Sequence, residues 1–174
     1  MIRTEAMKKH QTDHVLVGDG FLMRPINAGD VTQAYVDGLN DPEVGRFLTA
    51  GRKVQTLDSV RSYVAMNADD PVAILFGIFV DDLLRGTVRL HKIGDGFAYV
   101  GIAIFDKSLW GKGLATRTIK LVSEFAIASL GVTRIDAGRV IAAGNLGSHR
   151  AFEKAGYQQI KPGLWCLDAS LKTQ

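Results

Sequence analysis

The chain has 174 residues, 47% of them hydrophobic and 22% charged, a balance that fits one globular domain with a sizeable core and excludes a disordered or fibrous chain. Basic residues exceed acidic ones by three, but they are scattered, so no nucleic-acid arm is present. The single cysteine, Cys166, excludes an intrachain disulfide and any Cys-based metal cluster.

No apolar stretch reaches the length of a membrane span. Residues 1–14 are polar and mixed and lack the pattern of a signal peptide. The expectation is a cytoplasmic protein with a flexible tail over 1–14 and a single domain over 15–174.

In chain order, residues 15–17 and 21–24 flank Gly18-Asp19-Gly20, which predicts a hairpin. Asp30 is placed to cap a helix bearing Val31, Ala34, Tyr35 and Leu39 on one face. Asn40-Asp41-Pro42 ends it, and Pro42 can open a second short turn. Residues 56–66 read as a helix, with Leu57, Val60, Tyr63 and Val64 three or four apart. Strands follow at 73–80, 86–92 and 97–105, joined by short turns at Asp81-Asp82 and Gly94-Asp95-Gly96, so they are predicted antiparallel. A helix then runs to Leu130, with Leu114, Thr118, Leu121, Val122 and Phe125 on one stripe. Gly131 ends it, and a strand over 132–140 follows. A strand reached through a helix is predicted parallel to 97–105. Asn145 caps a helix to Ala155, Gly156 lies just past its end, and strands at 157–160 and 164–167 close the chain.

The most informative segment is Trp110-Gly111-Lys112-Gly113-Leu114-Ala115-Thr116, at the hand-over from strand to helix. Two glycines there allow a tight turn, and the helix start offers backbone N–H groups and a positive dipole end to a phosphate or pyrophosphate. A nucleotide P-loop does not fit, because Gly113 follows Lys112 and no glycine stands five before Gly111. A dinucleotide fingerprint does not fit either, because Thr116 occupies the place of its third glycine and an antiparallel meander comes first.

Ser108-Leu109-Trp110-Gly111-Lys112-Gly113 resembles the pyrophosphate loop Gln/Arg-x-x-Gly-x-Gly/Ala of the GNAT acetyltransferases, with Ser108 in place of Gln/Arg. Asn145-Leu146-Gly147-Ser148, leading to Phe152-Glu153-Lys154-Ala155-Gly156-Tyr157, resembles the later helix of that family. The Trp-Gly-Lys-Gly-Leu-Ala-Thr form and the Asn-Asp-Pro-Glu-Val run at 40–44 are similar to the branch that holds the RimJ/RimL-type ribosomal-protein acetyltransferases. The resemblance spans residues 15–167. It implies an α+β (mixed α/β) GNAT fold: a mostly antiparallel six- to seven-stranded sheet, about four flanking helices and a splayed central parallel pair.

The resemblance further implies acetyl-CoA as donor and a primary amine as acceptor, with direct transfer in a ternary complex and no metal. Backbone N–H groups of Gly111, Lys112, Gly113, Leu114, Ala115 and Thr116 would hold the pyrophosphate, beside Trp110. The pantetheine arm would lie along Ile102, Ala103 and Ile104, where the strand parts from its neighbour at a bulge. Asn145, Ser148 and Phe152 would flank that arm, and Phe105 would wall the site. The glutamate that many relatives carry two residues before the glycine matching Gly101 is here Tyr99, and their acidic tyrosine is here Phe152. His91, Tyr99 and Ser148 are the remaining candidates for proton handling. Cys166 has no partner base nearby in sequence and reads as a packed thiol.

Acceptor choice is assigned by the resemblance to residues 26–70, which hold Asp37, Asp41, Glu43, Arg46, Arg52, Asp58 and Arg61, and to the closing strands. Mixed charge there suits an amino sugar, another small amine or a protein N-terminus. The expected partners are acetyl-CoA and an amine only, with neither nucleic acid nor membrane, in a monomer or homodimer. The alternative function is an acyl-CoA-binding GNAT-fold module without catalysis.

Overall fold

The computed structural model describes residues 14–48, 51, 53–137 and 141–172. The expected tail up to residue 13, Arg52, and positions 138–140 of the expected strand lie outside these residues.

The chain opens with a hairpin of β1 (Leu16–Gly18) and β2 (Phe21–Pro25), turned at Gly20 with φ +75°. Asp30 does not cap the next helix. Its carboxylate accepts from the Arg24 guanidinium at 2.6 and 3.0 Å and from the Asn27 N–H at 2.9 Å, so both oxygens are committed. Helix α1 (Gln33–Asn40) starts instead after Thr32, whose hydroxyl accepts from the Tyr35 N–H. It buries Tyr35, Val36 and Leu39, while Ala34 is exposed. Asp41 caps the single turn α2 (Pro42–Gly45), with Pro42 at its start as expected. Helix α3 (Leu57–Asp69) is capped by a reciprocal Thr56–Ser59 pair. Its buried stripe is Val60, Val64 and Asn67; Tyr63 lies off it, 38% exposed.

Three long strands follow, β3 (Ala73–Val80), β4 (Leu83–Gly94) and β5 (Phe97–Ile104). Helix α4 (Leu114–Leu130) then crosses to β6 (Arg134–Ala137), which pairs parallel to β5 as the crossover rule requires. Helix α5 (Leu146–Lys154) leads to β7 (Gln158–Lys161) and β8 (Leu164–Asp168). The described residues thus form an eight-stranded sheet, in the order β1-β2-β3-β4-β5-β6-β8-β7, and five α-helices. The six to seven strands and about four helices implied by the resemblance are one short in each case, although the hairpin over 15–24 and the short turn opened by Pro42 are both present as read from the residues. Every other neighbouring pair is antiparallel. The closing hairpin docks through β8, whose Trp165 and Leu167 are buried, and leaves the fully exposed β7 at the edge.

Two cores flank the sheet. One packs α4 and α5 against one face, with Phe76, Val88, Val100, Ile119, Val122 and Ile135 buried. The other packs α1 and α3 against the opposite face, with Tyr35, Val60, Val64 and Leu75 buried. Phe105 belongs to this second core, its ring stacked on Tyr35 at 4.6 Å, and so does not wall a ligand site. Among the described residues no helix is long and apolar enough to cross a membrane.

Candidate active site

The site begins at the end of the described β5–β6 pairing. β5 pairs with β6 from Phe97 opposite Arg134 to Val100 opposite Ala137. On its other edge it stays paired with β4 through to Ile104 opposite Gly86. Residues 101–104 therefore turn one backbone edge toward the β6 side, and no strand covers it among the described residues. The expected bulge is not in this ladder, whose register runs unshifted from Tyr99 to Ile104. Such an edge offers N–H and C=O groups to an extended ligand rich in amides.

The strand ends in a braced corner. Asp106 caps a short turn over Lys107–Leu109 and pairs with Arg85 at 2.9 Å; its hydrogen bond from Ser108 holds the carboxyl below the usual range. Lys107 reaches both Asp41 at 2.7 Å and Glu43 at 2.6 Å, which ties α2 to this corner. The Trp110 indole N–H donates to the Ile104 carbonyl at 2.9 Å, closing the end of β5.

Gly111 and Gly113 then sit at φ +74° and +75°, in the region that L side chains avoid. Gly113 is the cap residue of α4 and supplies no side-chain bond, and no acidic residue occupies the first turn. The first N–H groups of a 17-residue helix are thus left without a side-chain partner. Gly111, Lys112 and Gly113 are all exposed. Arg117, one turn in, folds its guanidinium back to donate to the Lys112 carbonyl at 3.0 Å. This arrangement can hold an anion by backbone donors, helix dipole and a nearby cation.

Asn145 caps α5, its side-chain oxygen accepting from the Ser148 N–H at 3.2 Å. Ser148 is half-buried in that first turn. Phe152 is only 2% exposed and meets Tyr157 edge-on at 5.0 Å, so the structure places it in the core. His149 anchors the approach to this helix. The Trp165 indole donates to its Nδ1 at 3.0 Å, which leaves Nε2 to donate to the Ala142 carbonyl at 3.0 Å.

Side chains of β5 alternate. Ala98, Val100, Ile102 and Ile104 face the α4 core; Tyr99, Gly101 and Ala103 face the opposite side, with Thr87, Arg89 and His91 of β4 opposite them. His91 stacks on Tyr99, ring centroids 5.3 Å apart, and Phe97 meets Tyr99 edge-on at 4.8 Å. Burial, then the cations Arg89 and Lys92, push His91 down to about 4. It is a neutral imidazole at pH 7, and a weak base. Cys166 is buried in β8, its thiol pushed up to about 11 by burial and then by the Asp136 carboxylate that accepts from it. A thiol so protonated is not a nucleophile.

The structure thus brings His91 and Tyr99 together on one face, and Gly111 to Thr116 into one loop and helix start. Ser148 and Asn145 sit on a different element. Sequence reasoning missed Arg89, Lys107, Arg117 and His149, whose importance lies in contacts across the fold. Alternation along 86–92 could have placed Arg89 beside His91.

The chain matches the model of the acetyltransferase (GNAT) domain over residues 21–158. It is 43% identical over 89 residues to the "Probable N-acetyltransferase YjcK" of Bacillus subtilis, a match spanning 48% of each chain, about half the length of that curated relative. Its fold is similar to the ribosomal-protein-S5-alanine acetyltransferase of Vibrio fischeri, with TM-score 0.76, 16% identity, 90% of this chain and 97% of that one. It is also similar to the aminoglycoside acetyltransferase AAC(6')-Ib in complex with coenzyme A and kanamycin, with TM-score 0.70, 18% identity, 88% of this chain and 98% of that one. Loop, strand edge, sheet order and family match agree: the chain belongs to the GNAT acetyltransferase family.

Proposed function

We propose that this chain is an acetyl-CoA-dependent N-acetyltransferase that moves the acetyl group directly to a primary amine in a ternary complex. The observation that carries this reading is the uncapped start of α4 just after two left-handed glycines, next to the edge of β5 at 101–104 that no described strand covers. The N–H groups from Gly111 to Thr116, with Trp110 beside them, take the pyrophosphate. Ile102, Ala103 and Ile104 bond the pantetheine arm, and Asn145 and Ser148 flank it from α5, while Phe152, expected beside it, packs in the core behind that helix. A backbone N–H on the free edge stabilises the oxyanion that forms on the thioester carbonyl.

In the reaction the amine nitrogen bonds to the carbonyl carbon, the carbon–sulfur bond breaks, and the sulfur leaves as thiolate. The amine must shed one proton, and the thiolate takes one up. His91, Tyr99 and Ser148 handle these protons. Because His91 is held neutral, it acts as a hydrogen-bond acceptor in a water relay and not as the final sink for the proton. The fold neighbours that act on a ribosomal protein and that hold kanamycin support an amine acceptor in this class.

The test is release of free CoA thiol with a panel of amines, alongside calorimetry of acetyl-CoA. Binding with thiol release for at least one amine is expected. Binding without release for any amine would leave a non-catalytic CoA-binding module. Gly113→Val should raise the acetyl-CoA Kd at least 10-fold. The new Cβ meets Arg117 Nη1 at 3.3 Å, and a branched residue at φ +75° costs on the order of 1–3 kcal/mol. An unchanged Kd would remove the loop from the donor site.

A further inference from the structure

Arg89 has no task in the reading above, yet it stands beside the reacting centre. It pairs in register with Gly101. Gly101 is one residue past the last β5–β6 pair among the described residues, and the proposed donor arm along 102–104 brings the thioester carbonyl next to it. A Cβ added to Gly101 meets no atom within 4 Å, so the sheet face is open at this point. Tyr99 borders the opening along β5, and Arg89 borders it from β4.

The Arg89 guanidinium is under-used. Its Nε is buried with no hydrogen-bond partner. Its ion pair with Asp70 is 3.7 Å long, beyond hydrogen-bond reach. The neighbouring His91 is neutral at pH 7 and adds no opposing charge. Lys92 brings a second cation to this face, its Nζ 5.3 Å from the centre of the Tyr99 ring. A guanidinium with an unspent Nε–H and a long ion pair, beside an open floor and a second cation, matches a carboxylate or phosphate in fork geometry.

The geometry points to an acceptor that carries, besides its amine, a carboxylate or phosphate bound by Arg89. Such a molecule is an amino acid or a phosphorylated amino sugar, not a polycation such as an aminoglycoside. Arg89 is then a specificity-determining residue that aims the amine at the carbonyl. The inference rests on the acetyl-transfer reading, and the two can fail separately.

The experiment compares matched acceptors by thiol release: alanine against alaninamide, and glucosamine 6-phosphate against glucosamine. At least one anionic member should exceed its neutral partner in kcat/KM by about 10-fold or more, as a charged hydrogen-bonded pair predicts. The pair that responds identifies the anion as carboxylate or phosphate. The amide's amine is the less basic of its pair, so intrinsic reactivity at neutral pH runs against the expected order. In Arg89→Gln the preference should fall to within about 3-fold, the anionic member losing far more than its partner. An unchanged acetyl-CoA Kd and thermal midpoint serve as the control for folding. Equal efficiency within both pairs in the unaltered protein, or an equal loss for both members in the variant, would overturn the role of Arg89. Acetyl-CoA binding with no thiol release from any amine would overturn the transfer reading itself, and this proposal with it.

Discussion

His91 shows how a residue's neighbours can reverse what its type suggests. In sequence it is a histidine at a strand end with an ordinary value suited to proton transfer. In the fold, burial and the cations on either side, Arg89 and Lys92, hold it at about 4, against the 6.5 ordinary for an imidazole. Between those values the unfolded chain takes up a proton that the folded chain refuses. The stabilisation is therefore complete above about pH 6.5 and drains away as pH falls toward about 4. His91→Gln should lessen the loss of denaturation midpoint between pH 7 and pH 5, while acid effects from Asp30, Asp41 and Asp106 stay common to both proteins. Parallel pH profiles for the two proteins would show that His91 does not titrate this way. The glycines at 111 and 113 were legible from spacing alone, because a positive φ admits few other residues. Arg89 was not, because its role depends on the empty space over Gly101, and a single sequence does not show empty space.

At the level of elements, local signals placed most helices and strands, and long-range contacts decided the rest. Asp30 and Thr32 both stand where a helix cap belongs. The choice fell to Thr32 because Arg24, on a neighbouring strand, claims both oxygens of Asp30. The start of α5 and the glycine beyond its end were readable, since Asn145 and Gly156 are residues that those positions demand. What holds α4 to the segment after α5 was not readable. Ser123, buried in α4, donates to the Ile119 carbonyl at 2.7 Å and shares a 2.8 Å hydrogen bond with the Tyr157 hydroxyl. The two deletions are predicted to be unequal. Tyr157→Phe removes the phenol oxygen and leaves Ser123 its backbone acceptor, costing about 0.5–1.5 kcal/mol. Ser123→Ala strands a buried phenol hydroxyl, costing about 1–3 kcal/mol. Thermal melts of both variants test this, and the reverse order would contradict it.

At the scale of the whole molecule, two apolar cores are separated by one sheet, and the described β5–β6 pairing ends between them. The antiparallel half and the single parallel pair were predictable from connection lengths. The order β6-β8-β7 was not, because a hairpin may dock by either strand. The composition of Gln158–Lys161, polar at three of four positions, shows with hindsight which strand belongs at the edge. The Lys107 bridge to Asp41 and Glu43 joins the acceptor-side helices to the glycine corner across 64 residues of sequence, a distance over which local patterning carries no information.

Trp110 gives this architecture an optical handle. The chain has two tryptophans in contrasting surroundings. Trp165 is buried and bonded to His149, and its emission supplies a constant background. Trp110 is 41% exposed, and its indole is pinned to the last carbonyl of β5 beside the glycine loop. A nucleotide-bearing ligand settling on that loop should dry the indole and shift its fluorescence, so donor occupancy can be followed without a label or a turnover assay. Titration of acetyl-CoA into the unaltered protein should move the emission, and Trp110→Phe should abolish the change; a response that survives the substitution would place the ligand elsewhere.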